Sequence, residues 1–206
     1  EMIDDGEVKD GLRKDIQDMQ RMVNQFIGFV RGTDPSTYHF TPLNLTQWLD
    51  EQINAWETAG SEVRLLGMPT ATVWIQADPV SLGRLIDNLV TNALNHGKPP
   101  VEVSLTLEEG NACIHIRDYG PGIAAAQHAE ALRPFSRLDK ARTRTGSVGL
   151  GLALSDAIAR AHGGHLSLAN AKPGPGLEVQ VNLPVGEKPG VEAGATPQTS
   201  ASTPKY

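Results

Sequence analysis

Cysteine and aromatic residues are scarce in this chain. Cys113 is the only cysteine among the 206 residues, and aromatic side chains make up 5% of the sequence. A single thiol excludes a disulfide within the chain and a metal cage built from several cysteines, and it suits a reducing compartment. Because Cys113 lies in a segment where apolar and polar residues alternate, we expect a buried core thiol there rather than a nucleophile.

Long apolar runs and an excess of positive charge are also missing. No stretch approaches the roughly 18 apolar residues that a membrane-spanning helix needs, and no signal-peptide pattern is present. The 18 basic and 24 acidic residues give a net charge of -6, which argues against nucleic-acid binding. The sequence begins with Glu1 rather than methionine, so we expect a piece of a longer protein whose membrane segments would lie upstream.

Residues 7–31 have the periodicity of an amphipathic helix, which Gly32, Asp34 and Pro35 would end. Its apolar residues recur at three- and four-residue steps: Leu12, Ile16, Met19, Val23, Phe26, Ile27 and Val30. Such a stripe needs a partner, either an upstream helix, a second copy of the chain or both. The alternative is an amphipathic helix that lies on the domain that follows it.

Helices and mostly antiparallel strands alternate in the rest of the sequence. Apolar periodicity predicts helices at 46–59, 79–96 and 148–162 and strands at 62–67, 72–77, 101–107, 112–117, 165–169 and 177–183. Thr46 and Asp78 are the expected N-caps of the first two helices. The pattern predicts an α/β (α+β) two-layer sandwich, with a mixed, mostly antiparallel sheet packed on three helices. We expect the N-terminal helix at 1–34, the sandwich at 35–185 and a disordered tail at 186–206.

Several polar side chains follow one flank of the helix at 79–96. Asn88 and Asn92 are four residues apart and therefore point the same way, and Asn95 and His96 follow one turn later. Asn is a poor helix former, so its repetition beside an apolar face needs a reason. An amide oxygen can ligate Mg²⁺, which prefers oxygen ligands. For Asn95 and His96 the alternative is a solvated polar edge.

Two glycine-containing turns flank a long segment without periodicity. The first, Asp118-Tyr119-Gly120-Pro121-Gly122-Ile123, follows a strand, where a carboxylate can accept a hydrogen bond from the amine of adenine. The alternative is a plain turn. The second, Gly146-Ser147-Val148-Gly149-Leu150-Gly151-Leu152, enters a helix whose first N–H groups favour phosphate. It matches neither the Walker loop nor the dinucleotide fingerprint, and close helix packing is its alternative.

In this order and spacing, the three signals resemble the N, G1 and G2 boxes of the histidine kinase and gyrase-type ATPase superfamily. The segment 133–142 resembles the F box and ATP lid of histidine kinases. Gyrase, the Hsp90 chaperone and MutL share the nucleotide pocket but lack this segment and the preceding helix. Over about residues 1–185 the chain is similar to bacterial sensor histidine kinases of the EnvZ osmosensor type.

The resemblance implies a Bergerat-type ATP-binding fold and a role for each matching residue. Asn92 matches the Mg²⁺ ligand, Asn88 matches the position near the phosphates, and Asp118 matches the aspartate that recognises adenine. Asn88 and Asn92 are thus the implied catalytic residues. The other residues implied to bind the nucleotide are Asn95, His96, Gly120, Gly122, Ile123, Phe135, Arg137, Lys140, Arg142, Ser147, Val148, Gly149, Leu150, Gly151 and Leu152. Phe135 is expected to pack the lid, and the three basic residues are alternatively solvated loop charges.

The sequence departs from the family pattern in two places. Ser147 stands where the G2 box usually has a glycine, which puts lid flexibility and phosphate contact there in doubt. No segment matches the phosphoacceptor pattern His-Glu/Asp-x-Arg-x-Pro-Leu. The segment from His39 to Leu43 has a histidine and Thr-Pro-Leu but lacks the acidic neighbour and the arginine.

The resemblance implies that the chain transfers the γ-phosphoryl group of ATP, with Mg²⁺, to a histidine outside this chain. That histidine would lie in the first helix of a hairpin whose second helix is 1–34, and the chain alone should not autophosphorylate. The expected partners are a second copy bound through the hairpin and the receiver domain of a response regulator. The expected location is the cytoplasmic side of a bacterial inner membrane. The alternatives are an ATP-binding docking module without phosphotransfer and a gyrase- or MutL-like ATPase.

Overall fold

A computed structural model of the chain describes residues 5–32, 34–136 and 149–188. The helices are α1 (Asp5–Gly32), α2 (Leu45–Thr58), α3 (Pro79–His96), α4 (His128–Ala131) and α5 (Gly151–Ala161), with 3-10 turns at Pro35–Thr37 and Ala125–Gln127. The strands are β1 (Thr41–Asn44), β2 (Val63–Gly67), β3 (Trp74–Ala77), β4 (Val101–Glu108), β5 (Asn111–Arg117), β6 (His165–Asn170) and β7 (Leu177–Pro184).

Five of these strands form one mixed sheet in the order β2-β4-β5-β7-β6. Strands β2 and β4 pair in parallel, and the other three pairs are antiparallel, which confirms the predicted mixed, mostly antiparallel sheet. Strands β1 and β3 form a separate antiparallel ladder in which Leu43 lies opposite Ile75. Sequence periodicity does not distinguish this ladder from the main sheet.

Helices α2, α3 and α5 and the main sheet share one hydrophobic core. Each helix contributes fully buried aliphatic side chains, for example Leu49, Leu85 and Ile158, and the central strands contribute Ile114 and Val181. Alternate residues of β4 are buried between less buried neighbours, as expected for a sheet with one covered face. The predicted two-layer sandwich on three helices is therefore confirmed.

The starts of α2 and α3 test the two predicted N-caps. Asp78 caps α3, since its Oδ1 accepts from the Ser81 N–H at 2.7 Å. The prediction for Thr46 was wrong. Asn44 caps α2 by accepting from the Gln47 N–H at 3.2 Å. The Thr46 hydroxyl instead accepts from the N–H of Val73 at 2.9 Å, a contact distant in sequence that local spacing does not reveal.

Most of the apolar stripe of α1 is uncovered. The large apolar side chains named above for this helix are 43–65% exposed. The C-terminal end of α1 meets the domain, where a Cβ at Gly28 would lie 3.9 Å from Leu154 of α5 and Phe29 packs against the core. The stripe therefore does not lie on the domain along its length. Within the described residues, none of the helices combines the length and the apolarity that crossing a membrane requires.

The thiol of Cys113 is buried, as predicted. Its side chain is 1% exposed, and Sγ donates to Oδ1 of Asn182 at 2.8 Å. Burial raises the pKa of Cys113 above its ordinary value. The thiolate, which is the reactive form, is therefore disfavoured at this position.

Candidate functional site

Helix α3 forms one flank of the candidate site. Its apolar face buries Leu85 and Leu89, whereas Asn88 and Asn92 beside them are partly buried and Asn95 is exposed. The Nδ2 atom of Asn88 is buried and has no hydrogen-bond partner among the described residues. Proteins rarely leave a buried donor unpaired, so this amide fits a position that a polar ligand completes.

Asp118 forms the opposite flank, directly after β5. Its side chain is 6% exposed, and its Oδ1 accepts from the N–H groups of Gly120 at 2.7 Å and Leu177 at 3.3 Å. Burial raises the pKa of Asp118 above 3.8, although the same two hydrogen bonds act in the opposite direction. Because both bonds use Oδ1, the other oxygen, Oδ2, is left to accept a hydrogen bond from a ligand.

Glycines bring the backbone close to Asp118. A Cβ at Gly97, where α3 ends, would overlap with the Asp118 side chain, and a Cβ at Gly120 would lie 2.6 Å from Cα of Gly97. Gly122 has a φ of 71°, and a Cβ there would lie 2.6 Å from Oδ1 of Asn170. These close approaches explain why this wall excludes larger residues.

Two residues of this wall, Gly97 and Asn170, are not among the site residues that the sequence predicts. Gly97 directly follows the polar flank of α3, so its place in the chain was an available signal. Asn170, at the end of β6, accepts from the N–H of Ile123 at 3.1 Å. No sequence pattern links Asn170 to Ile123, because the two residues are 47 positions apart.

Gly149 connects the segment before it to α5. Its φ is 74°, its carbonyl oxygen accepts from the Phe135 N–H at 2.9 Å, and a Cβ would overlap with the carbonyl oxygen of Ser136. The predicted helix at 148–162 therefore begins only at Gly151, because the left-handed backbone of Gly149 cannot belong to it. Leu150 is buried, and Leu152 packs against the core.

Phe135 was expected to pack the lid. Its ring is 57% exposed, and its backbone has a φ of 63°. The lid residues Arg137, Lys140 and Arg142 and the G2-box residues Ser147 and Val148 lie outside the described residues. The roles of these five residues, and the packing role of Phe135, stay predictions.

Helices α3 and α5 run antiparallel, which brings the separate signals to one place. The Asp78 N–H at the start of α3 donates to Nε2 of His162, just after the end of α5, at 3.1 Å, and the two helices pack together. Helix α5 has 11 residues, and a rise of about 1.5 Å per residue places its start about 16 Å from this contact. Asn88 lies a similar distance along α3. Because the two helices pack together from this shared end, we expect the first N–H groups of α5 to lie level with the amides of α3.

The donor set decides how a metal could bind here. The parts of the chain that the structure describes contain no group of three or more His, Cys, Asp or Glu residues that could hold a metal ion. Mg²⁺ in phosphate-transferring sites is commonly held by one or two protein oxygens together with substrate phosphates and water. The amide oxygen of Asn92 fits that arrangement, in which the ion binds with the nucleotide.

Comparison with known proteins identifies the family. Residues 77–187 match the family described as histidine kinase-, DNA gyrase B- and HSP90-like ATPases. The sensor histidine kinase component HK1 of Mycobacterium tuberculosis is 32% identical over 145 residues, which are 70% of this chain and 84% of that protein.

Solved structures give the same result. The NMR structure of the histidine kinase domain of the Escherichia coli osmosensor EnvZ has 32% identity and a TM-score of 0.55, and the match covers 77% of this chain and 95% of that one. The ATP-binding domain of PrrB from Mycobacterium tuberculosis has 26% identity and a TM-score of 0.57, and the match covers 72% of this chain and 98% of that one.

The chain spans 47% of the length of one curated relative and 31% of another. The family match from residue 77 to residue 187 takes in α3, the Asp118 turn and α5, which together form the candidate site. With this match and the relatives above, the chain belongs to the histidine kinase-, DNA gyrase B- and HSP90-like ATPases and, among them, to the sensor histidine kinases.

Proposed function

We propose that this chain is the ATP-binding catalytic part of a two-component sensor histidine kinase. It transfers the γ-phosphoryl group of ATP to a histidine outside this chain, from which the group passes to a response regulator. The observation that carries this proposal is the antiparallel packing of α3 and α5. It sets the polar flank of α3 beside the start of α5, while Asp118 lies against the end of α3.

The purine would be recognised by Asp118. Its Oδ2 accepts a hydrogen bond from the exocyclic amine of adenine, while Oδ1 stays bonded to the backbone N–H groups of Gly120 and Leu177. The carboxylate is thereby fixed before the ligand arrives. The missing side chains at Gly97, Gly120 and Gly122 leave room for a flat base against the backbone.

The triphosphate would lie between α3 and the start of α5. The unpaired Nδ2 of Asn88 can donate to a phosphate oxygen, and so can the first N–H groups of α5. Mg²⁺ held by Asn92 and the phosphates would neutralise negative charge on the transferred group. The protein thus positions the phosphoryl group and stabilises its charge, which is most of what phosphoryl transfer requires. Arg137, Lys140 and Arg142 are the proposed lid contacts to the phosphates.

The exposed stripe of α1 supports a hairpin partner and a homodimer. Seven large apolar side chains on one helix face, each at least 43% exposed, are costly in water and suit a helical bundle. We propose that α1 is the second helix of that bundle, with the acceptor histidine on the first. A receiver domain would dock on the same bundle. The parent protein would be a bacterial inner-membrane sensor with this part in the cytoplasm.

The test supplies the histidine-bearing hairpin as a separate polypeptide, together with labelled ATP and Mg²⁺. Native protein should label the hairpin, and Asn92→Ala should reduce labelling at least about tenfold, as expected when one charge-stabilising contact worth roughly 1.4 kcal/mol is lost. Asn54→Ala is the matched control, because Asn54 lies exposed on α2 away from the site.

Each contrary result points to a specific alternative. Equal labelling by the native protein and Asn92→Ala would remove Asn92 from the metal site. ATP binding without any transfer to the hairpin would favour a regulatory docking module. Steady ATP hydrolysis that needs no hairpin would favour a gyrase- or MutL-like ATPase.

A further inference from the structure

Buried polar side chains gather at a second place in the domain, away from the nucleotide. The described residues include five buried polar or charged side chains, and three of them, Asp78, Ser81 and His162, meet in one cluster. A buried polar cluster is costly unless every group is paired, so its pairing is informative. We call this cluster, together with the linker residues 38–40 that cover it, the hinge junction.

His162 connects the end of α5 to the start of α3. Its Nε2 lies 3.1 Å from the Asp78 backbone nitrogen, and its Nδ1 lies 2.8 Å from the carbonyl oxygen of Ile158. The backbone N–H can only donate and the carbonyl oxygen can only accept. The ring is therefore neutral, with its proton on Nδ1 and an accepting lone pair on Nε2.

Asp78 connects the linker to α3. Its Oδ1 accepts from the N–H and the hydroxyl of Ser81, both at 2.7 Å, and its Oδ2 accepts from the His39 N–H at 2.9 Å. Burial would raise the pKa of Asp78, but these hydrogen bonds outweigh it and keep the pKa below 3.8. The carboxylate therefore stays ionised and bonded on both oxygens.

Aromatic rings of the linker close the junction. The Tyr38 ring packs edge-on to the His162 ring with centroids 5.6 Å apart, and the Phe40 ring does so at 5.0 Å. The two aromatic rings also stack on each other at 5.7 Å. The segment that connects α1 to the sandwich is thus held against the ends of both helices that carry the candidate nucleotide residues.

We propose that His162 is a positioning residue that locks this linker to α3 and α5, so that linker and nucleotide site change conformation together. The reason is the packing of α3 against α5. The junction holds the start of α3 to the end of α5, and about three turns away Asn88, in the middle of α3, is expected to lie level with Gly151, the first residue of α5. A shift of α5 against α3 at the junction therefore displaces its phosphate-facing start. This inference rests on the proposed function for its effect on ATP, but not for the junction itself.

Protonation of His162 would open the junction. A proton on Nε2 would point at the Asp78 N–H, so two donors would face each other where Nε2 now accepts the hydrogen bond. Burial lowers the pKa of His162 below 6.5, although the Asp78 carboxylate opposes this. The titratable groups near the ring include the Tyr38 phenol and His39 of the linker and Arg84 of α3, whose charge acts on Tyr38. On α5, Arg160 is engaged with Asp156 at 2.8 Å.

Two substitutions separate the two ring nitrogens. His162→Gln places an amide near the position of Nε2 and can still accept from the Asp78 N–H. His162→Asn places an amide near Nδ1 and leaves that N–H without an acceptor. Losing one buried hydrogen bond, at about 1–1.5 kcal/mol, predicts roughly 5- to 13-fold faster opening in His162→Asn, with His162→Gln close to native.

The readout is hydrogen exchange of the His39 and Asp78 amides by NMR without nucleotide. After correction for intrinsic rates, protection of these amides in the native protein should fall as the pH drops below 6.5, while His162→Gln should show no such fall. The Kd for ATP should rise about 3- to 10-fold in His162→Asn and stay near native in His162→Gln. If His162→Asn does not fold, Phe40→Ala, at a ring already 44% exposed, should speed exchange at His39 instead.

Three outcomes would overturn the proposal. If the His39 amide of His162→Asn exchanges at the same rate as in the native protein, the His162 ring does not hold the linker. Equal acceleration at the core amide of Ile114 would mean a general loss of stability. Faster exchange with an unchanged Kd for ATP would remove the positioning role. If the native protein binds no ATP, the proposed function fails, while exchange at His39 still tests the junction.

Discussion

Replacement of Asp118 by asparagine separates nucleotide recognition from folding. The new carbonyl oxygen can take the place of Oδ1 and keep the hydrogen bonds from Gly120 and Leu177. The new NH₂ group then takes the place of Oδ2 and meets the amine of adenine donor against donor. Asp118→Asn should therefore preserve the backbone of the turn while it destroys the acceptor that reads the base.

The expected loss follows from the charge of the acceptor. A hydrogen bond to a charged group contributes about 1.5–3 kcal/mol, which corresponds to roughly a 10- to 150-fold rise in Kd for ATP. Stability should respond differently. Because the folded-state pKa of Asp118 is raised, its carboxyl group favours folding at low pH, and this contribution is lost as the pH rises through that pKa. At neutral pH the substitution should therefore leave the free energy of unfolding unchanged or slightly higher.

The assay is competition between ATP and a fluorescent ATP analogue, with urea unfolding of the same samples. Asp50→Asn is the matched control, since Asp50 lies exposed on α2. The difference in Kd between native protein and Asp118→Asn should shrink as the pH falls through the raised pKa of Asp118. An unchanged Kd in Asp118→Asn, or a loss that only parallels unfolding, would refute the assigned role.

Three further predictions concern packing, pH and the thiol. The new methyl group of Gly97→Ala should overlap with Asp118, lower the free energy of unfolding by about 1–3 kcal/mol and weaken ATP binding. Gly67→Ala, which has open space around the new methyl group, should change neither the free energy of unfolding nor ATP binding in the same urea and binding assays. Because the folded-state pKa of His162 is lowered, the free energy of unfolding should fall as the pH drops below 6.5, by at most about 1.4 kcal/mol per pH unit. Urea titrations at several pH values should show this fall in native protein but not in His162→Gln. Cys113 should resist a thiol reagent in the folded protein and react once the protein is unfolded, and fast labelling of folded protein would contradict its burial.

Much of the architecture could be predicted from local patterns. The cap at Asp78, the β4–β5 hairpin and the stripe of α1 depend on residues close in sequence, and the structure has all three. The β1–β3 ladder and the true cap of α2 depend instead on contacts such as Thr46 with Val73. Sequence periodicity carries no information about such distant partners.

The candidate site likewise contains some residues that local sequence patterns predict and others that only packing reveals. Asn88, Asn92 and Asp118 stand in recognisable sequence patterns, so the sequence alone predicts them as site residues. Gly97 matters because Asp118 leaves no space for a Cβ, which is a fact of packing. In the sequence, His162 is only the last residue of the predicted helix at 148–162. Its contact with Asp78 joins residues 84 positions apart, and only the antiparallel packing of α3 and α5 reveals it.

In the proposed function, α3, the Asp118 turn and the start of α5 together bind magnesium-bound ATP. Isothermal titration calorimetry of native protein with ATP and Mg²⁺ tests this directly, and two temperatures should be used because a binding enthalpy can vanish at one of them. We expect saturable heat at one nucleotide per chain. Folded protein that gives no saturable heat at either temperature would contradict the account.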